Sequence, residues 1–176
     1  MAKLTPNFDL SEFSKIQLND YQLSLIQMLA NNLQIVRDKL QSFKRVQSKN
    51  VTITISSGVR TADDYTRLKN SGYNPSANSD HFCGYQPGSK PTLGAADINV
   101  HNCSLSLKDI ASLMIEWDKS GIVHFGQIIY EFNPSTGSCW IHVGNDWNQI
   151  FKEGIKFTRT KYLMSLDNGK TYQSFR

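Results

Sequence analysis

No stretch of this chain is apolar for long enough to cross a membrane, and Met1-Ala2-Lys3-Leu4-Thr5-Pro6-Asn7 carries no apolar run after its one Lys. The expectation is a protein without a membrane span or secretory signal, made in the cytoplasm. Cysteine is scarce. Cys83, Cys103 and Cys139 cannot all pair with one another and match no zinc-ribbon spacing, so they read as buried or half-buried free thiols in a reducing compartment. Cys83 and Cys139 stand close to candidate metal ligands, which keeps a minor ligand role open for each. Gly and Pro are scattered and charged residues make up only 19%, which excludes disorder, collagen and low complexity. No internal repeat is present. The excess of basic residues is small, a formal +4. Its two groups, Lys39, Lys44, Arg45 and Lys49 early and Lys152, Lys156, Arg159 and Lys161 late, lack interleaved aromatics. They read as solvated faces rather than a nucleic-acid site.

What is present is enough for one domain. The 176 residues, 39% of them hydrophobic, can bury a core but are too few for two independent ones. Phe8, Leu10 and Phe13, with Asp9 as an N-cap candidate, form an extended lead-in and a short helical turn. From Asn19 on, Leu25, Met28, Leu29, Leu33, Val36, Leu40 and Phe43 recur at spacings of three and four, which predicts a long amphipathic helix capped by Asn19 or Asp20. Val51-Thr52-Ile53-Thr54-Ile55 alternates as a half-buried strand. Thr61, followed by Asp63 and Asp64, caps a helix to about Asn70.

Tyr85 to Leu93, with Pro87, Gly88 and Pro91, reads as a surface excursion in which Ser89, Lys90 and Thr92 face solvent. Ala95 to Val100 is a short strand. Ser104 or Ser106 caps a helix Leu107 to Lys119 that points Leu107, Ile110, Ala111, Met114 and Trp117 inward. The segments 126–132 and 140–143 are strands joined by Asn133-Pro134-Ser135-Thr136-Gly137. The end reads as a hairpin with Asn168-Gly169 at its turn.

The chemistry gathers around Ser79-Asp80-His81-Phe82-Cys83-Gly84, Gly94-Ala95-Ala96-Asp97 and Trp140-Ile141-His142-Val143. Two imidazoles and a carboxylate make three protein ligands, and a tetrahedral zinc would keep its fourth position for water. Spacing alone leaves structural histidines as the equal alternative, and Asp97 could instead close a turn onto backbone N–H groups. Glu131 is the only charge in Ile128-Ile129-Tyr130-Glu131-Phe132. It is either the solvent-side residue of its strand or a base with a raised pKa. If the two last strands pair antiparallel, Glu131 and His142 share a face only when paired residue numbers sum to an odd value. Arg60, at a strand end, can aim its fork at a substrate carboxylate or carbonyl, or form an ion pair with Asp63 or Asp64. His101 and His124 have no ligand-spaced partner and read as surface or structural.

In this order, Ser57-Gly58-Val59-Arg60, the Ser79–Gly84 run, Ala95-Ala96-Asp97-Ile98, Gln127-Ile128-Ile129-Tyr130-Glu131-Phe132 and Trp140–Val143 resemble the superfamily of zinc D-alanyl-D-alanine carboxypeptidases and phage endolysin peptidases. The lead-in Asn7–Phe13 is similar too, so the resemblance spans roughly 4–143 and leaves 144–176 as a C-terminal extension with the hairpin. It implies a single α+β domain with a small antiparallel sheet flanked by helices, of the hedgehog-like zinc peptidase kind. It further implies Zn²⁺ held by His81, Asp97 and His142, substrate contacts from Arg60, Ser79 and Trp140, and Glu131 as the catalytic carboxylate. Two departures stand out. Fifteen residues separate His81 from Asp97, more than is usual in the family, and Cys139-Trp140 replaces the His or Glu many relatives carry before the last ligand.

Two functional classes follow. One is a zinc metallopeptidase cutting peptidoglycan stem peptides, phage-encoded and reaching the cell wall through lysis machinery or a virion. The other is a non-catalytic virion or cell-envelope-binding protein retaining the fold.

Overall fold

The computed structural model describes residues 2–43, 49–73, 75–84, 92–150 and 161–175. In chain order these form β1 (Lys3–Thr5), β2 (Phe8–Asp9), α1 (Leu10–Phe13), α2 (Asp20–Ser42), β3 (Thr52–Ser57), α3 (Ala62–Asn70), a 3₁₀ turn (Asp80–Phe82), β4 (Ala95–His101), α4 (Leu107–Lys119), β5 (Phe125–Phe132), β6 (Cys139–Asn145), α5 (Trp147–Ile150), β7 (Tyr162–Ser165) and β8 (Gln173–Ser174). The class is α+β. β1 and β2 make a small antiparallel ribbon, and the other strands form one sheet in the order β3-β4-β6-β5-β7-β8. No described helix is long and apolar enough to cross a membrane.

Local sequence explains most of these elements. Asn19 caps α2 by accepting from Gln22 N at 2.9 Å, while the Gln22 side chain returns to Asn19 N at 3.1 Å, so two orphan donors of the first turn are satisfied together. Thr61 and Ser106 start α3 and α4 with the same reciprocal arrangement, through Asp64 and Asp109. The buried stripe of α2 is Leu25, Ile26, Leu29, Ala30, Leu33, Val36 and Leu40. It is wider than the periodicity predicts, gaining Ile26 and Ala30, whereas Phe43 ends the helix exposed with its ring 6.2 Å from that of Trp117. α4 buries Ile110, Ala111, Met114, Ile115 and Trp117, and Leu107 is half-buried.

The sheet separates core from site by alternation, because successive side chains on a strand point to opposite faces. On one face Ile98 of β4, Ile141 and Val143 of β6 and Ile128 of β5 are fully buried and join α2 and α4 in a single core cluster. The other face carries Asp97, His142, Ile129 and Glu131, since Asp97 pairs with His142, His142 with Ile129 and Trp140 with Glu131. The pairing sum of β5 with β6 is odd, so Glu131 and His142 share that face.

Two expectations are corrected at the chain's later half. The main sheet is mixed rather than antiparallel, because β7 lies parallel to β5, with Glu131 opposite Ser165. The terminal hairpin forms, but Leu163 pairs with Ser174 and Met164 with Gln173, leaving 166–172 as a wide loop rather than a tight Asn-Gly turn. Asn168 and Gly169 do adopt the left-handed backbone, at φ 63° and 75°. The loop is wide because the Asp167 carboxylate captures backbone donors of Lys170 and Thr171, which competes with ladder bonds for those groups.

The excursion expected at 85–93 falls mostly on residues 85–91, outside the described ones. Its end is not on the surface: Thr92 is 1% and Leu93 4% exposed. Gly84 N donates to both Thr92 O and Thr92 Oγ1, and Leu93 N donates to Asp80 Oδ1 at 3.0 Å, so these contacts draw Thr92 and Leu93 inside.

Candidate metal centre

His81, Asp97 and His142 converge. His81 Nε2 lies 3.2 Å from Asp97 Oδ1 and 3.2 Å from His142 Nδ1, and the last two atoms are 2.9 Å apart. Asp97 and His142 come together because they are directly opposite across β4 and β6. His81 arrives from the other side, on the 3₁₀ turn that Ser79 caps by accepting from His81 N at 3.4 Å.

The second ring nitrogen of His81 faces the Gly58 carbonyl at 2.8 Å. A carbonyl can only accept, so Nδ1 carries the proton and Nε2 presents its lone pair to the other two groups. Gly58 sits just past an irregularity in the β3–β4 pairing between Ile55 and Ser57, where the chain leaves the ladder. A Cβ there would lie 2.1 Å from the Phe13 carbonyl oxygen, so only glycine lets α1 and this turn meet. Val59 N donates to that same Phe13 carbonyl and Arg60 N to His81 O, at 2.7 and 2.8 Å. The motif at 57–60 thus builds the seat of His81.

Arg60 corrects its expected ion pair with Asp63 or Asp64, because it pairs with Asp97 instead. Its Nη2 donates to Asp97 Oδ2 at 2.9 Å and its Nε to Ser57 Oγ at 3.2 Å, whereas Asp64 pairs with Arg67. The side chain folds back over the strand end, occupies one carboxylate oxygen of Asp97 and leaves Oδ1 directed at the imidazoles. A partner of this kind orients a metal ligand without touching the metal.

Electrostatics agree with this arrangement. Burial holds His81 below the ordinary histidine range. Burial works against the charge on Asp97, but the two imidazoles outweigh it and hold the carboxyl far below the usual range. Burial also opposes charge on His142, and its bond to Asp97 nonetheless raises it. An unprotonated nitrogen facing a carboxylate oxygen is an unfavourable contact without a cation or proton between them. The observed separations are near the roughly 3.3 Å between ligands of a tetrahedral ion bound at about 2.0–2.1 Å. This buried cluster could hold a metal ion.

The centre opens on a cleft of about 930 Å³ that Arg60, Ser79, Glu131, Trp140 and Tyr172 help to line. Glu131 is half-buried in its wall, and burial pushes its carboxyl up to about 7, against the pull of His142. It is therefore not a plain solvent-side residue. Among the described residues no thiol joins the cluster. The buried Cys83 donates to Gln22 O, and Cys139 is half-buried and free. His101 is exposed beside Thr54 Oγ1, and His124 is exposed with its backbone bonded to Asn32. Tyr172, from the loop before β8, was not expected here. Its sequence neighbourhood, Lys170-Thr171-Tyr172, reads as hairpin, and only the parallel pairing of β7 with β5 brings it to Glu131.

Comparison with protein-family models, with curated proteins and with solved structures finds no match to this chain.

Proposed function

We propose that this protein is a zinc metallopeptidase that hydrolyses peptide bonds in bacterial peptidoglycan stem peptides, with a fold of the hedgehog-like D-Ala-D-Ala peptidase kind. One observation carries the reading. Three ligating atoms within 3.2 Å of one another stand on the same sheet face as a half-buried carboxyl raised to about 7. Metal ligands without a base would suit a structural site, and a base without ligands would suit many hydrolases. Their combination in one open cleft suits metal-assisted hydrolysis.

His81 Nε2, Asp97 Oδ1 and His142 Nδ1 would hold zinc, which would supply Lewis acidity for the scissile carbonyl and for a water near neutrality. Glu131 takes the proton of the attacking water on its carboxylate and gives it to the leaving amine. A carboxyl titrating near the working pH is suited to both directions. Arg60 orients Asp97 through its bond to Oδ2. Trp140, opposite Glu131, and Ser79, beside His81, wall the space a peptide would fill.

Metal content and stem-peptide cleavage measured on the same preparation test this. About one zinc per chain with release of an amino acid or peptide from purified stem peptide is expected. Zinc with binding to cell wall but no cleavage would replace the reading with the non-catalytic envelope- or virion-binding one.

A further inference from the structure

The loop 166–172 is built to a definite shape. The Asp167 carboxylate accepts from Ser165 Oγ, Lys170 N, Thr171 N and Thr171 Oγ1 at 2.6–3.1 Å, and Ser165 Oγ in turn accepts from Gly169 N at 2.9 Å. One carboxylate thus closes the whole turn. Asn168 N ties it to the end of β5 by donating to Phe132 O at 3.0 Å.

The turn is also held close to Glu131. At Gly169, φ +75°, an added Cβ would stand 3.0 Å from the Tyr172 hydroxyl and 3.5 Å from Glu131 Oε2. The Tyr172 hydroxyl and the Glu131 carboxylate therefore approach one another at this point of the cleft wall. Burial and then the Glu131 charge push this phenol up to about 12, so it keeps its proton at neutral pH and is the donor. The residue as a whole is 48% exposed. Core packing does not account for it; what it does inside the cleft is reach one carboxylate.

We propose that Tyr172 is the positioning residue for Glu131: the Asp167-closed loop forms one wall of the cleft and aims the phenol hydroxyl so that it donates to the Glu131 carboxylate and fixes its orientation. The catalytic consequence rests on Glu131 being the base of the proposed hydrolysis. The hydrogen bond itself can be followed with no substrate present.

Tyr172→Phe tests it, a change that a half-exposed ring tolerates. The readout is the carboxyl ¹³C resonance of Glu131, assigned by its absence in Glu131→Gln and titrated in the zinc-free protein. Losing a donor to the carboxylate should raise its midpoint by about half a pH unit or more, with zinc content unchanged. In the loaded protein, kcat should fall roughly 3–10-fold at little cost in KM, and the acid limb of the pH profile should move up with the midpoint. An unchanged Glu131 midpoint overturns the proposal, even if kcat falls, because Tyr172 would then act on substrate directly. A shifted midpoint in a protein that cleaves no stem peptide upholds the positioning role and removes the peptidase reading alone. If Tyr172→Phe does not fold, Asp167→Ala, which unties the loop, takes its place in the same titration with the same expected direction.

Discussion

The His81 imidazole is fixed by a residue with no side chain: its Nδ1 donates to the Gly58 carbonyl at 2.8 Å, and Gly58 can occupy that place only because the Phe13 carbonyl lies where a Cβ would be. The lead-in, the end of β3 and the candidate metal centre are therefore one mechanical unit. Gly58→Ala should cost about 1–3 kcal/mol through overpacking against backbone, and should weaken zinc binding by tilting His81. Urea unfolding and zinc titration check the two effects together. A variant as stable as the parent with full zinc affinity would mean that this contact is not tight.

Purified protein should hold about one zinc per chain. His81→Ala and His142→Ala should lose it, while His124→Ala, whose side chain is exposed and outside the cluster, should not. Because His142 is raised above its ordinary value by Asp97, a proton competes with the metal at Nδ1. Zinc affinity should rise with pH through that raised value, with proton release on binding. Chelation should lower Tm by the linkage a bound ion provides. Equal metal loss from all three variants would break the assignment.

Arg60 binds Asp97 Oδ2 at 2.9 Å with 19% of its side chain exposed. Arg60→Ala should reduce zinc affinity roughly 10–100-fold, the usual effect of removing a partner behind a metal ligand. Arg60→Lys should recover only part of it, since an ammonium cannot reach Ser57 and Asp97 with one planar fork. Calorimetric zinc titration distinguishes this from a substrate role, in which zinc affinity would stay put and KM alone would rise.

Glu131 separates enzyme from binder. Glu131→Gln should keep zinc and lower cleavage by roughly 10²-fold or more. It also has a stability signature. Burial raises the folded carboxyl from its ordinary 4.5 to about 7, so the folded state prefers Glu131 protonated. That preference is fully present below pH 4.5 and is lost as pH rises through 7. In zinc-free protein the Gln variant should match the parent near pH 4 and exceed it by about 1–3 kcal/mol above pH 7. Equal stability at both pH values would return Glu131 to the solvated side of its strand.

The sequence by itself determined the elements and the candidate ligands. Helical periodicity, the N-cap candidates before each long helix and alternation in β3 act over a few residues, and local chemistry of that kind is readable before folding. Motif order marked His81, Asp97, His142 and Glu131, and strand parity stated the condition under which Glu131 and His142 meet. Only the tertiary structure decided what depends on partners far apart in the chain. Arg60 could aim at any acid in reach, and the β4 register made that acid Asp97. Thr92 looked solvent-loving by composition, yet bonds to Gly84 drew it inside. Tyr172 became part of the cleft because β7 joined β5 in parallel, and alternation fixes which face a side chain takes without naming the strand that will lie beside it.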